Sequence, residues 1–260
     1  MNLHHRILGE GIPVFIFHGL FGMNDNWQSF GKQLAELGFQ TVLTDLRNHG
    51  HSPHADSHNY TGMAEDIAEL MHTFDGPRFA IGHSMGGKAL LQTLNLFPGL
   101  VHAAVVVDIA PWKYLPRHNV VTEALNAVDV ITLADRKSAE AVLMSRLNDV
   151  STVQFLTKNL YRTGSDQFSW RFNLATIINN IHHIGEDVWP GSPVNTPVLF
   201  VRGERSDYIE PERFGEILTH YPNAELADIP DAGHWIHAEQ PKAMLALVAD
   251  WLKKHTQPFR

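Results

Sequence analysis

Short β-branched apolar runs alternate along this chain with amphipathic helical stretches, and that alternation restricts it to folds in which parallel strands are crossed by helices. Val14 to Phe17, Thr41 to Thr44, Phe79 to Ile81, Ala103 to Val107 and Val198 to Val201 read as strands, with Glu225 to Ile229 a further one and Leu3 to Leu8 an N-terminal edge. Trp27 to Leu37, Ala64 to Phe74 and Lys88 to Phe97 read as the intervening helices. Around the second of these, Met63, Ile67, Leu70, Met71 and Phe74 recur every three or four residues, so one face of a helix is apolar and packs on the sheet.

The rhythm breaks between Trp112 and Trp189. Helical patterns recur there, as in Glu123 to Val128 and Ala139 to Leu147, but no convincing strand does. The expectation is an α/β fold with a mostly parallel central sheet, residues 1–111 and 190–260, interrupted by an inserted helical cap, residues 112–189. Pro241 to Lys254 closes the chain as an amphipathic helix with proline near its first turn. A length of 260 residues suits one such unit.

The sharpest local pattern is Gly82-His83-Ser84-Met85-Gly86, directly after the Phe79 to Ile81 strand and before a helix. A serine displayed at a sharp strand-to-helix turn needs small residues two before and two after it, or the turn collides with neighbouring elements. A glycine-rich turn with a capping serine would satisfy the bare pattern; the strand–turn–helix context favours a nucleophile. A serine hydroxyl is a feeble nucleophile at neutral pH and requires a general base. Chain order and loop position single out His234 from 17 histidines, in Asp231-Ala232-Gly233-His234-Trp235 after the last strand.

Two aspartates at strand ends are candidates for orienting that imidazole. Asp207 follows the Val198 to Val201 strand, and Asp108 ends the Ala103 to Val107 strand. The oxyanion of acyl transfer needs two N–H donors. Met85, at a helix N-terminus, supplies one; His18-Gly19-Leu20-Phe21-Gly22 supplies the other, from Leu20 or alternatively Phe21. Trp112, Tyr114, Trp170, Phe172 and Trp189 are candidates for apolar pocket walls from the cap, and Trp235 for a wall beside His234.

Other chemistries lack a pattern. His49, His51, His54 and His58 invite a metal, but no H-E-x-x-H helix and no cysteine accompany them, so none is expected. No P-loop lysine follows the elbow and no G-x-G-x-x-G follows the first strand, so no nucleotide cofactor is expected. A net charge of −8 repels nucleic acid and acidic membrane surfaces. The N-terminus lacks a basic start and a long apolar run, and no window reaches a membrane-spanning length, which with the absence of cysteine reads as cytoplasmic and, by default, monomeric.

The order strand, His-Gly, strand, Gly-x-Ser-x-Gly, strand, cap, strand with Asp, strand, Gly-His resembles the α/β-hydrolase superfamily over nearly the whole chain. Within it, His18 to Gly22, Asp45 to Ser52, Gly82 to Gly87, Val107 to Pro111 and Ala232 to Glu239 resemble the YbfF-type esterases and their abhydrolase-domain-11 relatives. The resemblance implies a carboxylester or thioester hydrolase without cofactor, with Ser84 as nucleophile, His234 as base and the position of Asp108 as the acid. This chain departs from those relatives in also offering an acid at Asp207. The expected substrate is a small-molecule ester of small or medium acyl chain. A thioesterase, a carbon–carbon-bond hydrolase and a slow-turnover small-molecule receptor are the rival readings on the same scaffold.

Overall fold

Phe79, Ala80 and Ile81 are fully buried because their strand, β4 (Phe79–His83), runs through the middle of a seven-stranded sheet with helices on both faces. The computed structural model describes residues 1–115, 118–163 and 167–257. Spatially, the strands run β1 (His5–Leu8), β3 (Phe39–Thr44), β2 (Ile12–Phe17), β4, β5 (Ala103–Val107), β8 (Val198–Gly203) and β9 (Ala224–Ile229). Only β1 is antiparallel, pairing with β3 at the edge. Every other pairing in this sheet is parallel. Successive side chains leave a strand on opposite faces. Val14 and Ile16 therefore pack with α1 (Gln28–Glu36) and α11 (Pro241–Thr256), while Phe15 and Phe17 pack with α2 (Tyr60–Met71), α3 (Met85–Leu96) and α9 (Phe214–His220).

Helix α2 starts four residues before the Ala64 expected from periodicity. Asn59 caps it, its side chain accepting from the Gly62 N–H at 2.9 Å, and this satisfies a donor that has no partner inside the helix. No helix among the described residues is long and apolar enough to cross a membrane.

Register positions the site. Phe17 pairs with Gly82, His83 with Val107, Val107 with Val201 and Gly203 with Ile229. The parallel strands thus end along one edge, and the loops after β2, β4, β5, β8 and β9 converge there.

Between β5 and β8 lie α4 (Asn119–Asn126), α5 (Arg136–Leu147), α6 (Val150–Thr157), α7 (Leu174–Asn179) and α8 (Ile181–Ile184), together with an antiparallel hairpin, β6 (Leu160–Thr163) and β7 (Gln167–Trp170). The hairpin corrects the expectation that this segment lacks strands. Each arm is four residues long, too short for a two-residue period to stand out, and Leu160, Phe168 and Trp170 bury against the helices in a separate apolar core. The two ends of the segment leave the sheet side by side. Val188 N–H donates to the Pro111 carbonyl and Tyr114 N–H to Gly185, both at 2.8 Å. The buried Lys88 ammonium of α3 donates to the Trp112 and Glu186 carbonyls on either side of this seam, and burial pushes its pKa down to about 7.

Candidate active site

Ser84 occupies the turn between β4 and α3 at φ 53°, ψ −120°, a conformation that L-residues other than glycine rarely adopt. Neighbouring glycines make that turn possible. A Cβ on Gly86 would lie 2.5 Å from the Phe17 carbonyl oxygen and 2.6 Å from that of His18, and one on Gly82 would lie 2.4 Å from the Gly86 oxygen. These contacts are with backbone, which cannot yield without moving β2 or the elbow. Gly86→Ala is accordingly expected to cost about 1–3 kcal/mol, lowering the thermal midpoint by several degrees along with activity. Gly215→Ala, whose added Cβ meets nothing within 4 Å, is expected to leave both unchanged or slightly improved. Parallel thermal melts of the two variants check the comparison.

The loop after β9 carries His234 to this turn. Its Nε2 lies 3.1 Å from Ser84 Oγ and its Nδ1 lies 2.7 Å from an oxygen of Asp108. With Nδ1–H donating to the carboxylate, the Nε2 lone pair faces the serine hydroxyl. His83 Nε2–H donates to the His234 carbonyl at 2.9 Å, and the Tyr208 ring stacks on the imidazole at 4.1 Å, so both backbone and ring are fixed. Burial holds His83 well below the ordinary histidine range, keeping it neutral for that bond.

Asp108 is fully buried, at φ 51°, and accepts two further hydrogen bonds, from Gly203 N–H at 3.0 Å and Ser206 Oγ at 2.5 Å. Of the two aspartates named from sequence, the structure brings Asp108 to the imidazole. Asp207 is exposed in the loop after β8, where its neighbour Ser206 is the residue that reaches Asp108.

Met85 begins α3, so its N–H has no carbonyl one turn earlier to bond within the helix, and Leu20, in the loop after β2, lines the same cavity as Ser84. Phe21 is a correction. Its N–H donates to His49 Nε2 at 3.1 Å and is thereby taken out of the set of oxyanion donors. His49 is itself an internal brace: Nδ1–H donates to the Arg47 carbonyl at 3.0 Å, and burial holds its pKa well below the usual histidine value. His58 is also buried, pushed down to about 3, while His54 is exposed. Among the described residues no group of three or more His, Asp or Glu could hold a metal ion.

Two cavities meet at Ser84. One, of about 190 Å³, is walled by Leu20, Phe21, Phe155, Leu156, Trp235 and His237, and His234 also lines it. The other, of about 390 Å³, is walled by Tyr60, Ile109, Tyr114, Leu115, Ile181 and Ile184. Trp235 and Tyr114 thus line the site, whereas the other aromatic candidates do not border either cavity. Trp112 is buried beneath the Arg213 guanidinium, Trp170 and Phe172 stack on each other inside the separate core of the 112–189 segment, and Trp189 packs against His220. Tyr208, Phe155 and His237 escaped the sequence reading. Tyr208 follows the C-terminal end of β8 by five residues, where α/β sites gather, and that position was a usable signal. Phe155, on α6, carried none.

Comparison with known proteins adds a family to this geometry. The sequence profile of the α/β-hydrolase fold family matches residues 12–241. The Escherichia coli protein named Esterase YbfF is 34% identical over 92% of this chain and 92% of its own. The mouse sn-1-specific diacylglycerol lipase ABHD11 is 34% identical over 93% of this chain and 81% of its own length. Among solved structures, a marine microorganism esterase superposes with a TM-score of 0.92 at 38% identity, covering 96% of this chain and 98% of that one.

Proposed function

The chain belongs to the α/β-hydrolase fold family and is a carboxylesterase-type hydrolase, and on that premise we propose that it cleaves carboxylic esters of small or medium acyl chain through an acyl-enzyme on Ser84. The observation that carries this reading is the unbroken hydrogen-bond chain from Ser84 through His234 to Asp108 at a strained strand-to-helix turn. Ser84 Oγ attacks the ester carbonyl as His234 Nε2 takes its proton. The imidazolium that forms is stabilised by Asp108, and the tetrahedral oxygen by the Leu20 and Met85 N–H groups. His234 then returns the proton to the leaving alcohol, the acyl group stays on Ser84, and water enters by the same route to release the acid.

Residues 112–189 act as a cap in this scheme, since they contribute Phe155 and Leu156 to one cavity and Leu115 and Ile181 to the other. The leaving oxygen faces His234, which lines the smaller cavity, so the acyl chain occupies the larger one. Burying a methylene is worth about 0.8 kcal/mol, up to roughly fourfold in kcat/KM per carbon, until the cavity is full. A series of p-nitrophenyl and coenzyme A esters from acetyl to palmitoyl tests the assignment. The expected optimum lies between butyryl and octanoyl oxygen esters. An optimum at palmitoyl, or rates dominated by the coenzyme A thioesters, would contradict it.

A further inference from the structure

Phe21 is held in the left-handed region at φ 59°, a conformation that costs a non-glycine residue on the order of 1–3 kcal/mol and persists only where the surroundings impose it. Three contacts impose it here. Its N–H is bonded by His49, its ring meets Phe172 edge-on at 5.1 Å in the core of the 112–189 segment, and its carbonyl accepts from Asn159 Nδ2 at 2.9 Å. Asn159 lies on that same segment, 138 residues away in sequence, and is 1% exposed. Its own backbone is tied down at both ends, N–H to Leu156 and carbonyl to Arg171 N–H.

The peptide unit is planar and trans, so fixing a carbonyl fixes the direction of the N–H on the next residue. Asn159 fixes the Phe21 carbonyl and therefore the Gly22 N–H in the same plane. That N–H donates to the Gly19 carbonyl at 2.9 Å, which also accepts from His18 Nδ1 at 2.8 Å. The Gly19 carbonyl shares its plane with the Leu20 N–H, which it turns to the opposite side. A cap residue is thus connected, through two rigid peptide planes, to one of the two groups assigned to the oxyanion. Burial keeps His18 neutral, with Nε2 accepting from Leu46 N–H at 3.0 Å, so Nδ1 is the nitrogen left to donate.

We infer that Asn159 is a positioning residue of the esterase reaction: by holding the Phe21 carbonyl it aims the Leu20 N–H at the oxyanion, so that the cap completes the oxyanion hole as well as covering the substrate. The inference rests on the reading of Leu20 as an oxyanion donor. Because the bond acts on transition-state geometry and Asn159 is not among the residues bordering either cavity, its loss lowers kcat and spares KM.

The test is steady-state kinetics of Asn159→Ala and Asn159→Leu on p-nitrophenyl butyrate, with inhibition by a butyl trifluoromethyl ketone, which binds as an oxyanion. Asn159→Leu keeps the size of the side chain and removes the donor without adding a buried carboxyl that could donate when protonated, so it carries the test if the alanine variant leaves a hole that unfolds the protein. In the folded variants kcat is expected to fall about 10- to 100-fold with KM within about threefold, and ketone affinity to fall in parallel with kcat. Unchanged kcat and ketone affinity would overturn the inference, as would a rise in KM at constant kcat, which is the signature of a cap that only binds substrate. Ser84→Ala run in the same series separates the two levels. If it remains active, the reaction assignment itself fails; if it is inactive while both Asn159 variants behave as the parent, only the positioning role fails.

Discussion

Replacing Ser84 with alanine is expected to lower kcat for a p-nitrophenyl ester by roughly 10⁴- to 10⁶-fold. Among the described residues Ser84 Oγ is the nucleophilic atom found within hydrogen-bond reach of His234 Nε2, at 3.1 Å, and it lies where the two cavities meet. Without it the cavities, the Leu20 and Met85 amides and the imidazole remain, so substrate still binds and a residual rate above water persists. KM therefore moves little while kcat collapses. The fold is expected to survive, because the substitution removes a single oxygen and leaves the glycines that admit the turn untouched. Initial-rate kinetics with a circular dichroism spectrum of the variant checks both halves; ester turnover within tenfold of the parent would contradict the assignment.

Asp108→Asn ranks second, with an expected loss of roughly 10⁴ in kcat. The carboxylate accepts from His234 Nδ1, Gly203 N–H and Ser206 Oγ. An amide of the same size has only one acceptor oxygen, and its NH₂ group facing the imidazole favours the wrong tautomer, with the proton on Nε2 and no lone pair for the serine. Asparagine tolerates the left-handed φ of 51° as well as aspartate does, so the backbone is retained and the loss is catalytic. Asp207→Asn, at an exposed position, is expected to keep at least a tenth of the parent rate. Side-by-side kcat values decide: the opposite ranking would transfer the role to Asp207, and equal large losses would mean one shared network around His234.

Much of this site is legible in the sequence alone, because its parts are local. The Ser84 elbow is a strand, a turn and a helix in consecutive residues, and the glycines at 82 and 86 report backbone approaches that no other residue permits. His234 was legible from order, since parallel strands deliver their following loops to one edge. The choice between Asp108 and Asp207 was not, because both end strands that stop at that edge. It turns on which side chain the Gly203 N–H and Ser206 meet, a contact across about 95 residues.

Phe21 failed as an oxyanion donor for a related reason: its partner, His49, is delivered by the loop after β3, and nothing within the His18 to Gly22 string betrays that bond. Trp112, Trp170 and Trp189 failed as cavity walls for a different reason. A large aromatic side chain announces burial, and burial is what Trp112 and Trp170 have, but apolar identity cannot tell the core of a cap from the wall of a cavity. The β6–β7 hairpin was missed because two four-residue strands leave too little pattern among helices.

The central claim is that turnover passes through a covalent bond to Ser84. The most direct measurement is intact and peptide-level mass spectrometry after reaction with a fluorophosphonate. The expected result is one adduct per chain, mapped to the peptide carrying Ser84, with loss of esterase activity in proportion to labelling and no adduct in Ser84→Ala. An adduct on another residue that tracks the loss of activity, or full hydrolysis by protein whose Ser84 is quantitatively modified, would contradict it.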